Sequence, residues 1–289
     1  MKIYNLGSLN IDYVYSVEHI VNPKETIASN NLNKFAGGKG LNQSIALSRA
    51  GCNVIHGGII GNDGAFLKEV LIKDNVDTSH IIMLDKSTGH AIIQVDKNGQ
   101  NSILLYSGTN HLIDREYVKN FLKDSQEDDI LLLQNETSAL EYAFEIAKNN
   151  KIQIALNPSP YSENLKNLPL QYVNWWFCNE VEASELFGSS DIDVIKNKFI
   201  SQYPISNLIL TLGENGSIFI NQNNFIRQIA YKTNVVDTTS AGDTFTGYFL
   251  GAISQNKTVK DAMEIASKAA SITVSRNGAA TSIPYITEI

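Results

Sequence analysis

Short apolar runs of strand length alternate with helical patterns along most of this chain. That alternation limits the folds open to it more than any other feature. The strand-like runs are Ile3–Leu6, Val54–Ile60, Asp129–Leu133, Ile152–Leu156, Trp175–Cys178 and Leu208–Leu212. Helical patterns stand between many of them, at Asp63–Lys73, Ser138–Asn149, Glu180–Phe187 and Ile192–Ser201. Strands this short and apolar are buried on both faces, and an intervening helix returns the chain for parallel pairing. The expected fold is α/β: a mostly parallel central sheet with helices on both faces. Two further helices, Ala241–Ser254 and Val259–Val274, stand in the last third. No internal repeat or low-complexity tract interrupts the pattern.

Two segments break the alternation. Residues 11–34 and 88–107 read as extended pieces with turn signals. His90–Gln100 has the form of a hairpin with Asn98-Gly99 as its turn, and Ile103–Tyr106 is the return strand. A small sheet with an apolar face is not stable alone, so it must dock or pair. The plainer alternative is an antiparallel edge of the main sheet.

Residues 237–243 read Asp-Thr-Thr-Ser-Ala-Gly-Asp and lead directly into an apolar helical pattern. Ser240, Ala241 and Gly242 let the backbone turn tightly into the helix. The first N–H groups of a helix have no internal partner, and with the helix dipole they attract anionic oxygen. Asp243 places a proton acceptor beside that anion site. Phosphoryl transfer to an alcohol needs this pairing of a base with charge-holding donors. An aspartate near a helix start is also a common dipole partner, so the heptad alone does not decide.

A second run, Ala36 to Gly51, carries Gly37, Gly38 and Gly40 ahead of another helix. The glycines allow a ligand close to the backbone. Asn42, in the first helical turn, has donors and an acceptor suited to sugar hydroxyls. Ser44, Ala46, Ser48 and Ala50 would let this helix lie close against a sheet. Lys39 does not belong to a P-loop, because Asn33 and Gly40 stand where that motif needs other residues. Gln43 likewise breaks a dinucleotide-binding Gly-x-Gly-x-x-Gly.

Together the two runs resemble the signature regions of the ribokinase (phosphofructokinase-B) family of sugar kinases. The resemblance extends through Gly7-Ser8-Leu9-Asn10-Ile11-Asp12, Gly61-Asn62-Asp63, Gln134-Asn135-Glu136 and Asn157-Pro158-Ser159-Pro160. It continues at Asn179-Glu180-Val181-Glu182, Thr211-Leu212-Gly213, Ser275-Arg276-Asn277-Gly278-Ala279 and Ser282-Ile283-Pro284. Each piece is weak, but their order covers essentially the whole chain. Thr246 and Tyr248 depart from the pattern, where Asn and a small residue are usual.

The resemblance implies a ribokinase-like core of residues 1–10, 35–87 and 108–289, with a β-sheet lid of residues 11–34 and 88–107. It implies ATP, Mg²⁺ and an activating K⁺, with a small sugar as acceptor. The Gly-Gly-Lys-Gly-x-Asn-Gln and Asn-Pro-x-Pro runs point to D-ribose, giving ribose 5-phosphate. Asp243 would be the general base, with backbone N–H groups of Ser240, Ala241, Gly242 and Asp243 on the γ-phosphate. Asn10, Asp12, Gly38, Lys39, Asn42 and Glu136 would hold the sugar, under Ala91 and Ile93 of the lid. Asn179 and Glu182 would act on Mg²⁺ and phosphate. Thr211, Gly213, Gly216 and Ser267 would line the nucleotide site. Oxygens of Asp237, Thr239, Thr273, Arg276, Gly278 and Ser282 would hold K⁺. The lid would pair with that of a second copy in a homodimer. Rival readings are a kinase of a nucleoside, another pentose or a ketohexose, and a non-catalytic sugar- or nucleotide-binding protein. The intact Asp243 and its small-residue loop favour catalysis.

The net charge of −7 argues against nucleic acid or an acidic membrane surface as the main partner. No apolar run approaches the ~20 residues of a membrane span. Two cysteines without metal or redox spacing, Cys52 and Cys178, fit a reducing compartment, and no signal-peptide pattern opens the chain. The cytoplasm is the expected location. The five histidines lie apart, with no metal-ligand spacing.

Overall fold

A computed structural model describes all residues, 1–289. Its larger sheet takes β1 (Ile3–Leu6), β4 (Val54–Gly61), β5 (Asp77–Leu84), β8 (Ile130–Gln134), β9 (Gln153–Asn157), β10 (Val173–Asn179), β11 (Asn207–Thr211), β12 (Ser217–Ile220) and β13 (Phe225–Gln228). The order is β13-β12-β11-β10-β9-β8-β1-β4-β5, parallel except that β12 runs against both β11 and β13. The smaller sheet takes β2 (Asn10–Ser16), β3 (Asn31–Gly37), β6 (Gly89–Val95) and β7 (Asn101–Tyr106), in the order β3-β2-β6-β7. The helices are α1 (Lys39–Arg49), α2 (Ala65–Lys73), α3 (Arg115–Phe121), α4 (Leu140–Asn150), α5 (Glu180–Phe187), α6 (Ile192–Gln202), α7 (Ala241–Ser254) and α8 (Val259–Thr273).

The period of two along each strand divides the core. Ile3, Ile130, Leu132 and Ile209 pack with α1, α2, α7 and α8. Tyr4, Leu131, Leu133 and Leu208 pack on the other face with α3 to α6. Both faces are therefore covered, as the apolar strands require. The extended segments form a separate sheet, not an edge of the main one. Its hairpin loop is wider than a two-residue turn. Asp96 accepts from the N–H groups of Asn98 and Gln100 at 2.8 and 2.9 Å, and Gly99 alone takes the left-handed backbone.

One expectation is corrected in α1. Ser44 does face the sheet, but Ala46 and Ala50 face α7. A Cβ on Gly247 would lie 2.4 Å from Cβ of Ala46, and one on Gly251 would lie 2.9 Å from Cβ of Ala50. The small residues, spaced by four on both helices, bring helix to helix rather than helix to sheet.

Candidate active site

The order of strands reverses at β1, which has β4 on one side and β8 on the other. A crevice opens outside the C-terminal ends of strands at such a point. The loop after β1, the loop after β8 and the starts of α1 and α7 meet there.

At β1 and β8 the carboxylate of Glu136 closes over the start of α1. It accepts from the hydroxyl of Ser8, and from the N–H of Lys39 at 3.2 Å. The ammonium of Lys39 is 3.8 Å from its other oxygen. Asp12 lies one strand away, against Gly37 of β3. A Cβ on Gly37 would come 2.0 Å from an oxygen of Asp12, so only glycine leaves room for the carboxylate. Burial, and then the charge of Glu136, push the carboxyl of Asp12 up to about 7, against the pull of Lys39. Asn10 is buried beside it, its side-chain oxygen accepting from Asn110 at 2.7 Å. The strand register places Asn10, Asp12, Ala91 and Ile93 on one face of the small sheet. Gly38 precedes α1.

Asp243 stands in the first turn of α7. Its two oxygens accept from Asn42 Nδ2 at 3.0 Å and Gln43 Nε2 at 2.9 Å. Burial pushes its carboxyl above the usual carboxylate range, while Lys39, Asn42 and Gln43 pull the other way. The side-chain oxygen of Asn42 is buried without a protein partner. So is the hydroxyl of Ser240, a non-glycine residue in the left-handed region at φ 62°. The N–H of Ala241 turns back to Thr238 at 3.3 Å, which narrows the expected set of anion donors. The N–H groups of Gly242 and Asp243 meet no protein acceptor.

The same cleft is lined by Asn179, Glu182 and Thr211. Asn179 and Glu182 also form a reciprocal cap on α5, at 2.9 and 3.0 Å. The motif thus caps α5 and lines the cleft at once. Gly213 and Gly216 lie in the turn between β11 and β12, and Ser267 is buried on α8. These three are not among the residues lining the cleft, whereas Asn157, Ser159, Thr238 and Thr246, left out of the expected site, are. Asn157 and Ser159 belong to a motif visible in the sequence. Thr246 needs the helical period of α7, which sets it near Asp243.

Asp237 ties two loops together. Its oxygens accept from the N–H groups of Thr239 at 2.9 Å and Gly278 at 3.0 Å. Those donors hold its carboxyl below the usual range although burial opposes them. The hydroxyls of Thr273 and Ser282 donate to the hydroxyl of Thr244 and to the carbonyl of Ala279. The side chain of Arg276 pairs with Glu288.

An α/β sheet with unpaired N–H groups at a helix start, next to a buried carboxylate and a polar cup, is the arrangement of a kinase of a small hydroxylated molecule. The model of the pfkB family of carbohydrate kinases matches residues 2–286. The chain belongs to that family. It is similar to the ribokinase of Haemophilus influenzae, with 36% identity over 96% of this chain and 94% of that one. The ribokinase of Staphylococcus aureus is also 36% identical, over 100% of this chain and 98% of its own. Among solved structures, the ribokinase of Thermotoga maritima superposes with a TM-score of 0.88 at 33% identity, over 100% and 97% of the two chains. The ribokinase of Arabidopsis thaliana, solved with ribose and ATP, gives 0.85 at 27% identity, over 99% and 96%. No helix is long and apolar enough to cross a membrane.

Proposed function

We propose that this chain transfers the γ-phosphate of ATP to D-ribose, giving ribose 5-phosphate. The observation that carries the reading is the meeting of Asp243, the free N–H groups of Gly242 and Asp243, and a cup of hydrogen-bonding groups. Asp12, Asn10, Asn42, Lys39 and Glu136 hold the sugar, with the backbone of Gly38 below and Ala91 and Ile93 above. The unpartnered oxygen of Asn42 supports this role, since a ligand hydroxyl would satisfy it. Asp243 takes the proton of the attacking hydroxyl, and the start of α7 holds the charge on the transferring group. A cup of polar groups suits a polyhydroxylated ring better than a flat base, which would need apolar walls for stacking.

Thr211 borders the nucleotide. Asn179 and Glu182 face Mg²⁺ and phosphate, and one carboxylate oxygen of Glu182 is free of protein hydrogen bonds. Mg²⁺ supplies charge neutralisation on the phosphates. The loops joined by Asp237 suit K⁺, which the carboxylate of Asp237 and oxygens of Thr239, Thr273, Arg276, Gly278 and Ser282 would hold. The hydroxyls of Thr273 and Ser282 donate within the fold, which leaves oxygen lone pairs that could also face the ion. The small sheet acts as a lid and pairs with a second copy. Its strand β7 is exposed along all six residues, including Ile103, Leu104 and Tyr106. The two free cysteines fit the reducing cytoplasm.

A coupled ADP-release assay over a panel of sugars and nucleosides tests the reading. D-ribose is expected to give the highest kcat/KM, with 2-deoxyribose and fructose well behind and adenosine inactive. A site built on hydroxyl contacts rejects a substrate lacking one by up to ~10⁴. A preferred nucleoside or hexose overturns the ribose assignment, and no turnover with any acceptor overturns the kinase.

A further inference from the structure

A line of buried side-chain amides runs behind Asp243, and none of the roles above uses it. Gln43 Nε2 donates to Asp243 Oδ1 at 2.9 Å. The side-chain oxygen of Gln43 accepts from Gln134 Nε2 at 2.7 Å, and the same nitrogen donates to Asn5 Oδ1 at 3.0 Å. Asn5 Nδ2 in turn donates to the carbonyl of Gly40 and to the hydroxyl of Ser44, both at 2.8 Å. None of Asn5, Gln43 and Gln134 is more than 1% exposed.

The polarity of this line is fixed from its far end. A backbone carbonyl can only accept, so Asn5 must turn its nitrogen to Gly40 and its oxygen to Gln134. That oxygen also only accepts, so Gln134 must present its nitrogen. The second hydrogen of that nitrogen then points at Gln43, which must answer with its oxygen. Gln43 is left with its nitrogen toward Asp243. Only the side-chain oxygen of Gln134 lacks a protein partner in this arrangement, and flipping any one amide would set oxygen against oxygen or leave further buried groups unpaired, at ~1–3 kcal/mol each.

We propose that Gln43 and Gln134 are positioning residues whose locked polarity keeps a hydrogen-bond donor aimed at Asp243. The proposal rests on Asp243 being the general base. A donor that cannot turn into an acceptor favours the carboxylate over the carboxylic acid, so it opposes the effect of burial on Asp243. It also leaves the carboxylate one orientation relative to the start of α7. Asn42, on the neighbouring position of α1, supplies the second donor but has no such anchor, because its own oxygen is unpartnered. The charged groups facing Asp243 are Lys39 at the start of α1 and Glu136 after β8. Neither is altered in the tests below.

The experiment compares Gln134→Met, Gln43→Met and Asp243→Asn with the wild type, measuring kcat and the ribose KM from pH 5 to 9. Gln134→Met touches neither substrate nor Asp243. It is expected to move the acid limb of kcat up by about one pH unit, the scale of one hydrogen bond to a charged group. Its ribose KM is expected to change less than threefold. Gln43→Met should move the limb at least as far. An unmoved limb in Gln134→Met, with kcat lowered equally at every pH, overturns the proposal and leaves only a packing role. Near wild-type turnover in Asp243→Asn overturns the base itself, and the proposal with it. Loss of turnover in Asp243→Asn beside an unmoved limb in Gln134→Met overturns the positioning role alone. If Gln134→Met does not fold, NMR of the wild-type chain decides. Side-chain amide resonances of Gln134 that titrate with the midpoint of the acid limb support the proposal, and pH-independent ones refute it.

Discussion

Two glycines five residues apart on α7 should respond oppositely to the same substitution. A Cβ on Gly242 meets nothing within 4 Å, so neither packing nor crowding requires glycine there. A Cβ on Gly247 would lie 2.4 Å from Cβ of Ala46 and 2.9 Å from the backbone nitrogen of Leu47. Carbon atoms in contact prefer about 3.5–4.0 Å, so Gly247→Ala overlaps α1 by more than 1 Å. Overpacking of this kind costs ~1–3 kcal/mol, offset by up to ~1 kcal/mol of helix propensity. The net is a loss of up to ~2 kcal/mol, or several degrees in Tm. Gly242→Ala has no clash to set against its propensity, so its Tm should stay level or rise slightly. Activity should move the other way. The new methyl of Gly242→Ala would enter open space in the cleft beside the free N–H groups, on the approach proposed for the transferring phosphate. If the methyl keeps the phosphate from one of these donors, the cost should be ~10²–10³ in kcat, the scale of losing that donor. Gly247→Ala, assayed well below its Tm, should lose far less. Thermal scans and coupled ADP release on both variants are the check. Wild-type turnover in Gly242→Ala would refute the anion site at α7. A large fall in its Tm would show that the glycine serves the fold.

Asp243→Asn keeps the shape of the side chain but cannot accept the proton, and its amide nitrogen must face either Asn42 or Gln43. Turnover should fall ~10²–10⁴ while calorimetry still detects ribose binding. Asp12, with its carboxyl near 7, is mostly protonated below that pH and mostly ionised above it. Ribose affinity should therefore weaken as pH falls from 8 to 6, and a slope that persists in Asp12→Asn would place the titration elsewhere. The same shift acts on stability. The folded value of about 7 lies above the unfolded 3.8, so the contribution of Asp12 is fully present below 3.8 and lost as pH rises through 7. Asp12→Asn should then melt above the wild type at pH 8. Replacing K⁺ by Na⁺ at fixed ionic strength should lower turnover, and a flat response would remove the cation from the Asp237 loops.

How far the sequence could be read depended on how local each signal was. Glu180–Phe187 begins and ends where the sequence placed it, because a capping box at Asn179 and a left-handed Gly188 mark its ends. Ala241–Ser254 is likewise marked by its own small-residue start. β5 went unread because its residues, Asp77–Leu84, mix polar and apolar at the sheet edge, with only three residues between its start and α2. The seven residues of α3 are too few for a helical period to stand out. At the site, Asp12, Glu136 and Asp243 could be found from motifs, since each motif is contiguous. Gln134 and Gln43 could not. Each lies inside a motif, but their contact spans 91 positions and exists only where β8 lies beside β1. The burial of Ser267 away from the cleft has the same origin, since a helical period does not say which neighbour a face will meet.

The small residues of α1 show how packing reaches the chemistry. Ala46 and Ala50 meet Gly247 and Gly251 of α7, so the two helices approach more closely than larger side chains would allow. Asn42 is one helical turn before Ala46, and Asp243 is one turn before Gly247. The same step of four on both helices therefore carries the close approach to the pair that hydrogen-bonds across 201 positions of sequence. A bulky residue at Ala46 would separate the helices and draw Asn42 and Gln43 away from the carboxylate without touching substrate. Asp243, the proposed base, thus takes its geometry from a helix contact as well as from its own loop. Stability and turnover should fall together for substitutions at Ala46, and apart for those at Gly242.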